Sequence, residues 1–332
     1  MIKLAIDAMG GDFAPKEIIE GVNLAISKYD DLHLFVFGDD EEINKYLVKN
    51  ERVTVVHAKD KLEMGEEDPV SVIRRNKELS ITKAFQSVRD KECDGVVTAG
   101  PTQGVIVAAH LIIRRLKGMK RVALCPVLPT FTGKSRLLLD VGANTEIRPE
   151  HMLQHAIFAS VYADKAMGIE KPLVGLLNIG TEPGKGRELE LELHNLLSES
   201  DLVNFYGNVE PKELLATKCD ILLTDGFSGN MVMKTMEGTA KALGQALKEE
   251  ISKTISGKVG YLFMKKNLDN FKNRLNPNEI GGAMIFGVDG VVVKAHGSSN
   301  SYAFYRAIHQ ARSAVKGNII NIMKENIDVI NE

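Results

Sequence analysis

The chain has 332 residues, is 44% hydrophobic and 26% charged, and carries a formal net charge of −2. That length supports a large core, as one α/β domain over residues 1–332 or as two lobes sharing a sheet. The balanced charge lacks the basic excess of a nucleic-acid binder. Cys93, Cys125 and Cys219 are scattered without CxxC spacing, as buried thiols of a cytoplasmic protein would be. The opening MIKLAIDAMGG has no signal-peptide pattern, and no window reaches the ~18 apolar residues of a membrane span.

In chain order, apolar runs predict strands at Lys3–Asp7, His33–Phe37, Val53–His57, Gly95–Thr98, Ala123–Val127, Leu137–Val141, Val174–Asn178, Val203–Tyr206, Ile221–Thr224 and Val291–Lys294. Helical patterns lie between many of them, among them Pro15–Tyr29 and Pro149–Met167, the latter with proline just inside its start. Strand–helix alternation predicts an α/β fold, a mostly parallel sheet with helices on both faces. Met231 to about Asn276 shows no strand signal and predicts a protruding helical excursion of two helices breaking near Ser256-Gly257. The segment Leu116–Arg136, rich in Pro, Gly and Lys, is a candidate join between lobes.

Five strand ends run into glycine-rich loops: Asp7–Asp12, Thr98–Gly104, Asn178–Gly186, Thr224–Asn230 and Ala295–Asn300. In parallel α/β folds ligands bind beyond the carboxyl ends of strands, so these loops are expected on one edge. Glycine admits close backbone approach, and the following helix adds free N–H groups and a positive dipole end. Together they predict a phosphate or phosphorylated ligand. No Walker A or GxGxxG loop occurs, which disfavours nucleotide binding.

The residues these loops offer are Lys185, a point charge between two glycines, with Asp7, Gly10, Gly11, Thr181, Gly184, Gly186, Ser228 and Ser298 around an anion. Asn230 is placed to hydrogen-bond an oxyanion, and His296 to handle a proton. Asp225 or Asp7 is placed to orient Lys185 or His296. Each has a structural alternative: Lys185 as a solvated loop lysine, the aspartates, serines and threonine as helix caps, and His296 as a packing group. His151 and His155 are four apart, but no HExxH glutamate accompanies them, and no metal is expected.

Nine segments carry a resemblance: IDAMGGDFAPKEIIEG, EDPVSVIRR, LDVGAN, RPEHMLQHA, GLLNIGTEPGKG, NFYGNVE, TDGFSGNMVMKTMEGTA, IGGAMIFGV and VKAHGSSN. In this order and spacing, over nearly the whole chain, the sequence resembles the PlsX family of bacterial acyl-carrier-protein:phosphate acyltransferases. The resemblance implies a fold like the isocitrate and isopropylmalate dehydrogenases and phosphotransacetylase. It implies transfer of a long-chain acyl group from acyl carrier protein to inorganic phosphate, giving an acyl phosphate for phospholipid synthesis. It further implies a homodimer, no cofactor, peripheral membrane association and a membrane glycerol-3-phosphate acyltransferase as the consumer. One loop departs from the family pattern: Pro101 and Gln103 stand where the family has Asn and Gly. Proline removes a donor and glutamine disfavours positive φ, so that loop is expected to be altered.

Two further readings stay open. One is a metal- and NAD-dependent decarboxylating dehydrogenase on the same fold, which requires clustered acids. The other is a non-catalytic carrier-protein or membrane scaffold, for which the Pro101/Gln103 loop argues. Apolar residues from Met231 to Met264 with Lys253, Lys258, Lys265 and Lys266 nearby fit an anionic bilayer, a dimer interface or an acyl groove. Arg74, Arg75, Lys77, Arg114, Arg115, Lys117, Lys120 and Arg121 fit either an acidic carrier protein or a solvated helix face.

Overall fold

The computed structural model describes residues 1–130, 135–274 and 281–331. Residues 275 and 276 of the expected helical excursion, Ile280 of the motif IGGAMIFGV, and residues 131–134 of the expected join lie outside these.

Among the described residues, eleven strands form one sheet, in the order β3-β2-β1-β4-β11-β10-β5-β6-β9-β7-β8. They are β1 (Ile2–Asp7), β2 (Leu32–Gly38), β3 (Val53–His57), β4 (Gly95–Thr98), β5 (Ala123–Pro129), β6 (Ser135–Leu139), β7 (Leu173–Leu177), β8 (Asn204–Val209), β9 (Ile221–Leu223), β10 (Ala283–Phe286) and β11 (Val291–Lys294). Ten match expected runs. The eleventh, β10, was not expected: four residues between Gly282 and Gly287 carry too little periodicity to stand out.

β10 changes how the sheet is read. It pairs antiparallel with both β11 and β5, and β5 pairs antiparallel with β6. All other neighbours are parallel. The three reversals leave β6, β9, β7 and β8 running opposite to β11, β4, β1 and β2. Contrary to the expectation from the sequence, the five glycine-rich loops therefore do not share one edge. Those after β1, β4 and β11 leave by one edge, and those after β7 and β9 by the other.

Period-2 alternation sends side chains to two cores, one on each face. Leu4, Ile6, Val97, Val291 and Val293 join the first core, under α1 (Lys16–Lys28), α6 (Pro149–Met167), α7 (Glu188–Glu199), α10 (Ser301–Lys316) and α11 (Ile319–Asn331). Ala5, Val96, Val292 and Leu222 join the second, under α3 (Pro69–Arg75), α4 (Ser80–Arg89) and α5 (Thr102–Ala108). The short α2 (Asp40–Asn44) follows β2.

α8 (Gly226–Ser252) starts at the end of β9 and crosses the second face, where Val232, Met233 and Met236 pack against the second core. Beyond Gly238 its residues are almost all exposed, and α9 (Ile255–Arg274) continues the excursion. The helix begins five residues before the expected Met231. It breaks at Lys253-Thr254 rather than Ser256-Gly257, because Thr254 caps α9: its Oγ1 accepts the Gly257 N–H at 2.9 Å.

Candidate active site

The loops after β1, β4 and β11 interlock around a buried carboxylate. Asp7 is 1% exposed and accepts from Ser80 Oγ at 2.6 Å and Thr98 Oγ1 at 2.7 Å. The N–H groups of Met9 and Gly10 also turn toward it. Burial raises its pKa, against the lowering pull of these donors. Asp7 thus ties β1 to β4 and α4, and it does not orient Lys185 or His296. Gly11 holds φ +116°, and an added Cβ there would lie 3.0 Å from Ala99 Cβ and 3.2 Å from the Gly297 carbonyl oxygen. The adjoining Asp12 N–H donates to that same Gly297 oxygen at 2.9 Å.

His296 and Ser298 follow in the β11 loop. The Ser298 N–H donates to His296 Nδ1 at 3.2 Å, and Ser298 Oγ lies 2.9 Å from the same nitrogen. The neutral ring therefore carries its proton on Nε2. Partial enclosure, with Lys294 and Lys234 nearby, keeps the His296 pKa below its ordinary value.

The second group of loops also has a buried carboxylate at its centre, one that sequence reasoning missed. Asp140, after β6, is 0% exposed. Its Oδ1 accepts the N–H groups of Leu124, Gly142 and Ala143 at 3.0–3.2 Å. Its Oδ2 accepts the Asn144 N–H at 2.7 Å and Asn144 Nδ2 at 2.8 Å. The start of α8 presses on this turn: a Cβ added at Gly226 would meet the Asn144 carbonyl oxygen at 2.3 Å, and the Asn230 side chain lies against Gly142. The motif LDVGAN pointed here, but a carboxylate with this many backbone donors is visible only in the fold.

Asp225 caps α8, accepting from Ser228 N–H at 2.8 Å and Ser228 Oγ at 2.9 Å. Arg187, also unforeseen, bridges Asp225 to Glu190 and so pins the β7 loop to α8. Burial alone would raise the Asp225 pKa. The Ser228 donors and the Arg187 guanidinium prevail and hold it below the usual carboxylate value. Asp225 and Ser228 therefore organise a helix start, and Asp225 partners Arg187 rather than Lys185 or His296. The Gly229 N–H donates to the Asp225 carbonyl at 2.9 Å and so is not free for an oxyanion.

Lys185, Thr181 and Gly184 are exposed in the β7 loop. Asn178 Nδ2 holds that loop closed on the Lys185 carbonyl at 2.9 Å, and Gly186 turns it with φ +103°. Lys185 Nζ makes no ion pair among the described residues. The expected anion-binding residues thus divide between two groups: Asp7, Gly10, Gly11, Ser298 and His296 in one, and Lys185, Thr181, Gly184, Gly186, Ser228, Asp225 and Asn230 in the other.

α8 joins the groups. Asn230, Lys234 and Glu237 fall at i, i+4 and i+7, along one side of the helix. Asn230 touches the Asp140 turn, while Lys234 and Glu237, together with Asp12 of the β1 loop, lie close enough to Lys294 and His296 to act on them electrostatically. The Pro101/Gln103 departure is accommodated. Pro101 is the N-cap of α5, whose own N–H the helix does not use, and Gln103 is helical, so no positive φ is needed there. Among the described residues, no group of three His, Cys, Asp or Glu side chains is placed to hold a metal ion. His155 is instead buried in α6, with Nε2 at 3.2 Å from the Arg121 carbonyl.

Solved structures share this fold. One is the EutD phosphotransacetylase of Staphylococcus aureus (TM-score 0.58, 14% identity, covering 95% of this chain and 94% of that one). Another is a branched-chain phosphotransacylase of Enterococcus faecalis V583 (TM-score 0.56, 16% identity, 95% and 100%). Closer in sequence is a phosphate acyltransferase of Acholeplasma laidlawii, 50% identical over 326 residues and 98% of each chain. A phosphate acyltransferase of Staphylococcus aureus strain MRSA252 is 44% identical over the full length of both. The model of the family described as "Fatty acid synthesis protein" matches residues 2–322. The chain belongs to this fatty acid synthesis family, the PlsX family of acyltransferases.

Proposed function

We propose that the protein transfers a long-chain acyl group from an acyl-carrier-protein thioester to inorganic phosphate, releasing acyl phosphate and free carrier thiol for phospholipid synthesis. The observation that carries this reading is the pair of loop groups, each built on a buried aspartate, joined by the Asn230–Lys234–Glu237 side of α8. Full-length relatives named phosphate acyltransferase support it, and the likeness to phosphotransacylases supports extending the fold resemblance to the isocitrate dehydrogenase-like class.

A phosphate oxygen attacks the thioester carbonyl carbon, the tetrahedral oxyanion collapses, and the C–S bond breaks. Phosphate at neutral pH is already a nucleophile, and a thiol of pKa ~8.5 leaves readily as thiolate. The main demands are therefore positioning and charge screening. Gly11 and Ser298, in the first group of loops, screen the phosphate, while Lys185, Thr181, Gly184 and Gly186 lie with the second group at the opposite edge of the sheet. Asn230 Nδ2 donates to the oxyanion. The Nε2–H of His296 faces the departing sulfur.

An open cavity of about 360 Å³ supports carrier-protein docking: Arg74, Arg115, Lys120 and Arg121 surround an apolar floor that includes Ile106 and Leu111, and Asn144 of the Asp140 turn lines it. Phosphate-dependent thiol release from palmitoyl-carrier protein tests the reading. Release that proceeds equally without phosphate, or from palmitoyl-CoA but not from the carrier, would count against it.

The outer part of α8 and α9 is proposed to rest on an anionic bilayer. Leu243, Leu247, Ile255, Leu262 and Phe263 are 50–83% exposed there, beside Lys253, Lys258, Lys265 and Lys266. Among the described residues no helix is long and apolar enough to cross a membrane. The double variant Leu262→Glu/Phe263→Glu is expected to abolish co-sedimentation with phosphatidylglycerol vesicles while keeping turnover on soluble substrate. Undiminished co-sedimentation would leave this surface to a second copy of the chain, the homodimer that the family resemblance implies.

A further inference from the structure

β11 reads Val291-Val-Val-Lys294, and its alternation settles where the lysine lies. Val291 and Val293 enter the first core and Val292 the second, so Lys294 falls on the second face, the one α8 crosses. It stands level with Thr98 of β4 and Ala283 of β10, at the edge where the loops after β1, β4 and β11 leave. The Lys294 side chain is half-buried and, among the described residues, makes no hydrogen bond or ion pair. The charged groups around it come from three elements: Lys234 and Glu237 on α8, Asp12 in the β1 loop, and His296 two residues on. Lys234 and Glu237 form a 3.5 Å pair with each other.

An enclosed ammonium without direct counter-charge is costly, and a second ammonium beside it raises that cost. Burial first, and Lys234 second, push the Lys294 pKa down to about 8, while Asp12 and Glu237 pull the other way without restoring it. Groups held in such a state concentrate at functional sites. Beside the neutral His296 ring, at the rim of glycine-rich loops, the unpaired Lys294 and a Lys234 that exchanges its 3.5 Å partner Glu237 for the ligand offer two cations to a phosphate dianion.

We propose that Lys294 and Lys234 form the cationic seat of inorganic phosphate, a part of the site that the glycine-rich loops alone do not supply. This rests on the acyl-transfer reading for its purpose, but binding can be measured without turnover. A bound dianion favours the ammonium form of Lys294, so phosphate binding near pH 8 takes up a proton. Affinity falls as pH rises through that value. His296, with its pKa already below the ordinary value, stays neutral over this range.

The test is titration calorimetry of the full-length protein with inorganic phosphate at pH 7 and pH 9.5, in buffers of different ionisation enthalpy. Lys294→Met is expected to weaken phosphate binding about ten- to a hundredfold at pH 7, as for lost hydrogen bonds to charged groups. It should also remove the proton uptake. Lys294→Arg should restore binding without the pH dependence. Lys234→Met, at an exposed position of α8 whereas Lys294 is enclosed, guards against a folding defect at Lys294. It should weaken binding and shift the pH dependence to higher pH, because Lys294 loses its repelling neighbour. Phosphate binding with unchanged affinity and pH dependence in both methionine variants would overturn the seat, as would wild-type protein that binds no phosphate. Turnover that survives in those variants with an unaltered phosphate KM would overturn the seat and leave the acyl-transfer reading standing. Binding lost as expected in a protein that turns over no thioester would support the seat while that reading fails.

Discussion

Asn230→Ala is expected to lower kcat by about a hundred- to a thousandfold, with the KM values for phosphate and acyl donor changing far less. A preorganised donor to a tetrahedral oxyanion acts mainly in the transition state, and losing one costs about this much. The geometry favours Asn230 for the role. It lies in the first turns of α8, its side chain rests against Gly142, and it stands one helical turn before Lys234. The neighbouring Gly229 N–H cannot substitute, being engaged by the Asp225 carbonyl. Initial-rate kinetics at saturating substrates check the prediction. Wild-type kcat in Asn230→Ala would remove this side chain from the reaction.

Gly229→Ala is expected to destabilise the fold by about 3 kcal/mol, the upper end of overpacking costs. A Cβ at this position would lie 2.0 Å from the Asp140 carbonyl oxygen and 2.9 Å from Thr224 Cγ2. Neither neighbour can retreat cheaply. The Asp140 N–H donates to the Thr224 carbonyl at 2.9 Å and the Thr224 N–H to the Leu139 carbonyl at 2.6 Å, so the ends of β6 and β9 are locked together. Gly238→Ala, further along the same helix where an added Cβ meets nothing within 4 Å, is the control. There alanine should stabilise by about 0.5–1 kcal/mol through helix propensity alone. Urea unfolding of both variants measures the contrast. Equal stability would contradict the described seating of α8 on the Asp140 turn.

Most of the ten strands were legible because they carry runs of β-branched or aliphatic residues, several of them closed by glycine or aspartate, as in Leu4-Ala-Ile-Asp7 and Leu137-Leu-Leu-Asp140. β10 was not, because Ala-Met-Ile-Phe between glycines has no period of its own. That one omission had a large consequence. Without β10 and its antiparallel pairings, the glycine-rich loops appeared to share an edge, and one phosphate appeared to collect all their donors. The loops themselves were legible from local punctuation, since strand, glycine and helix cap occur in order. The engagement of their polar groups was not, because it depends on partners far away in sequence. Asp7 meets Thr98 and Ser80, Asp225 meets Arg187, and Lys294 is covered by α8 only through the path that helix takes across the sheet. Lys294 looked like the last residue of a strand, with nothing in Val-Val-Val-Lys to mark it as enclosed.

Inorganic phosphate is the proposed acyl acceptor. The most direct measurement mixes the purified protein with palmitoyl-carrier protein and inorganic phosphate, then traps the product with hydroxylamine. Acyl hydroxamate that requires both protein and phosphate, at a rate that saturates with phosphate, is the predicted result. Hydroxamate no higher than in the protein-free control, with the protein folded and the carrier fully acylated, would contradict the account and bring the non-catalytic scaffold reading forward.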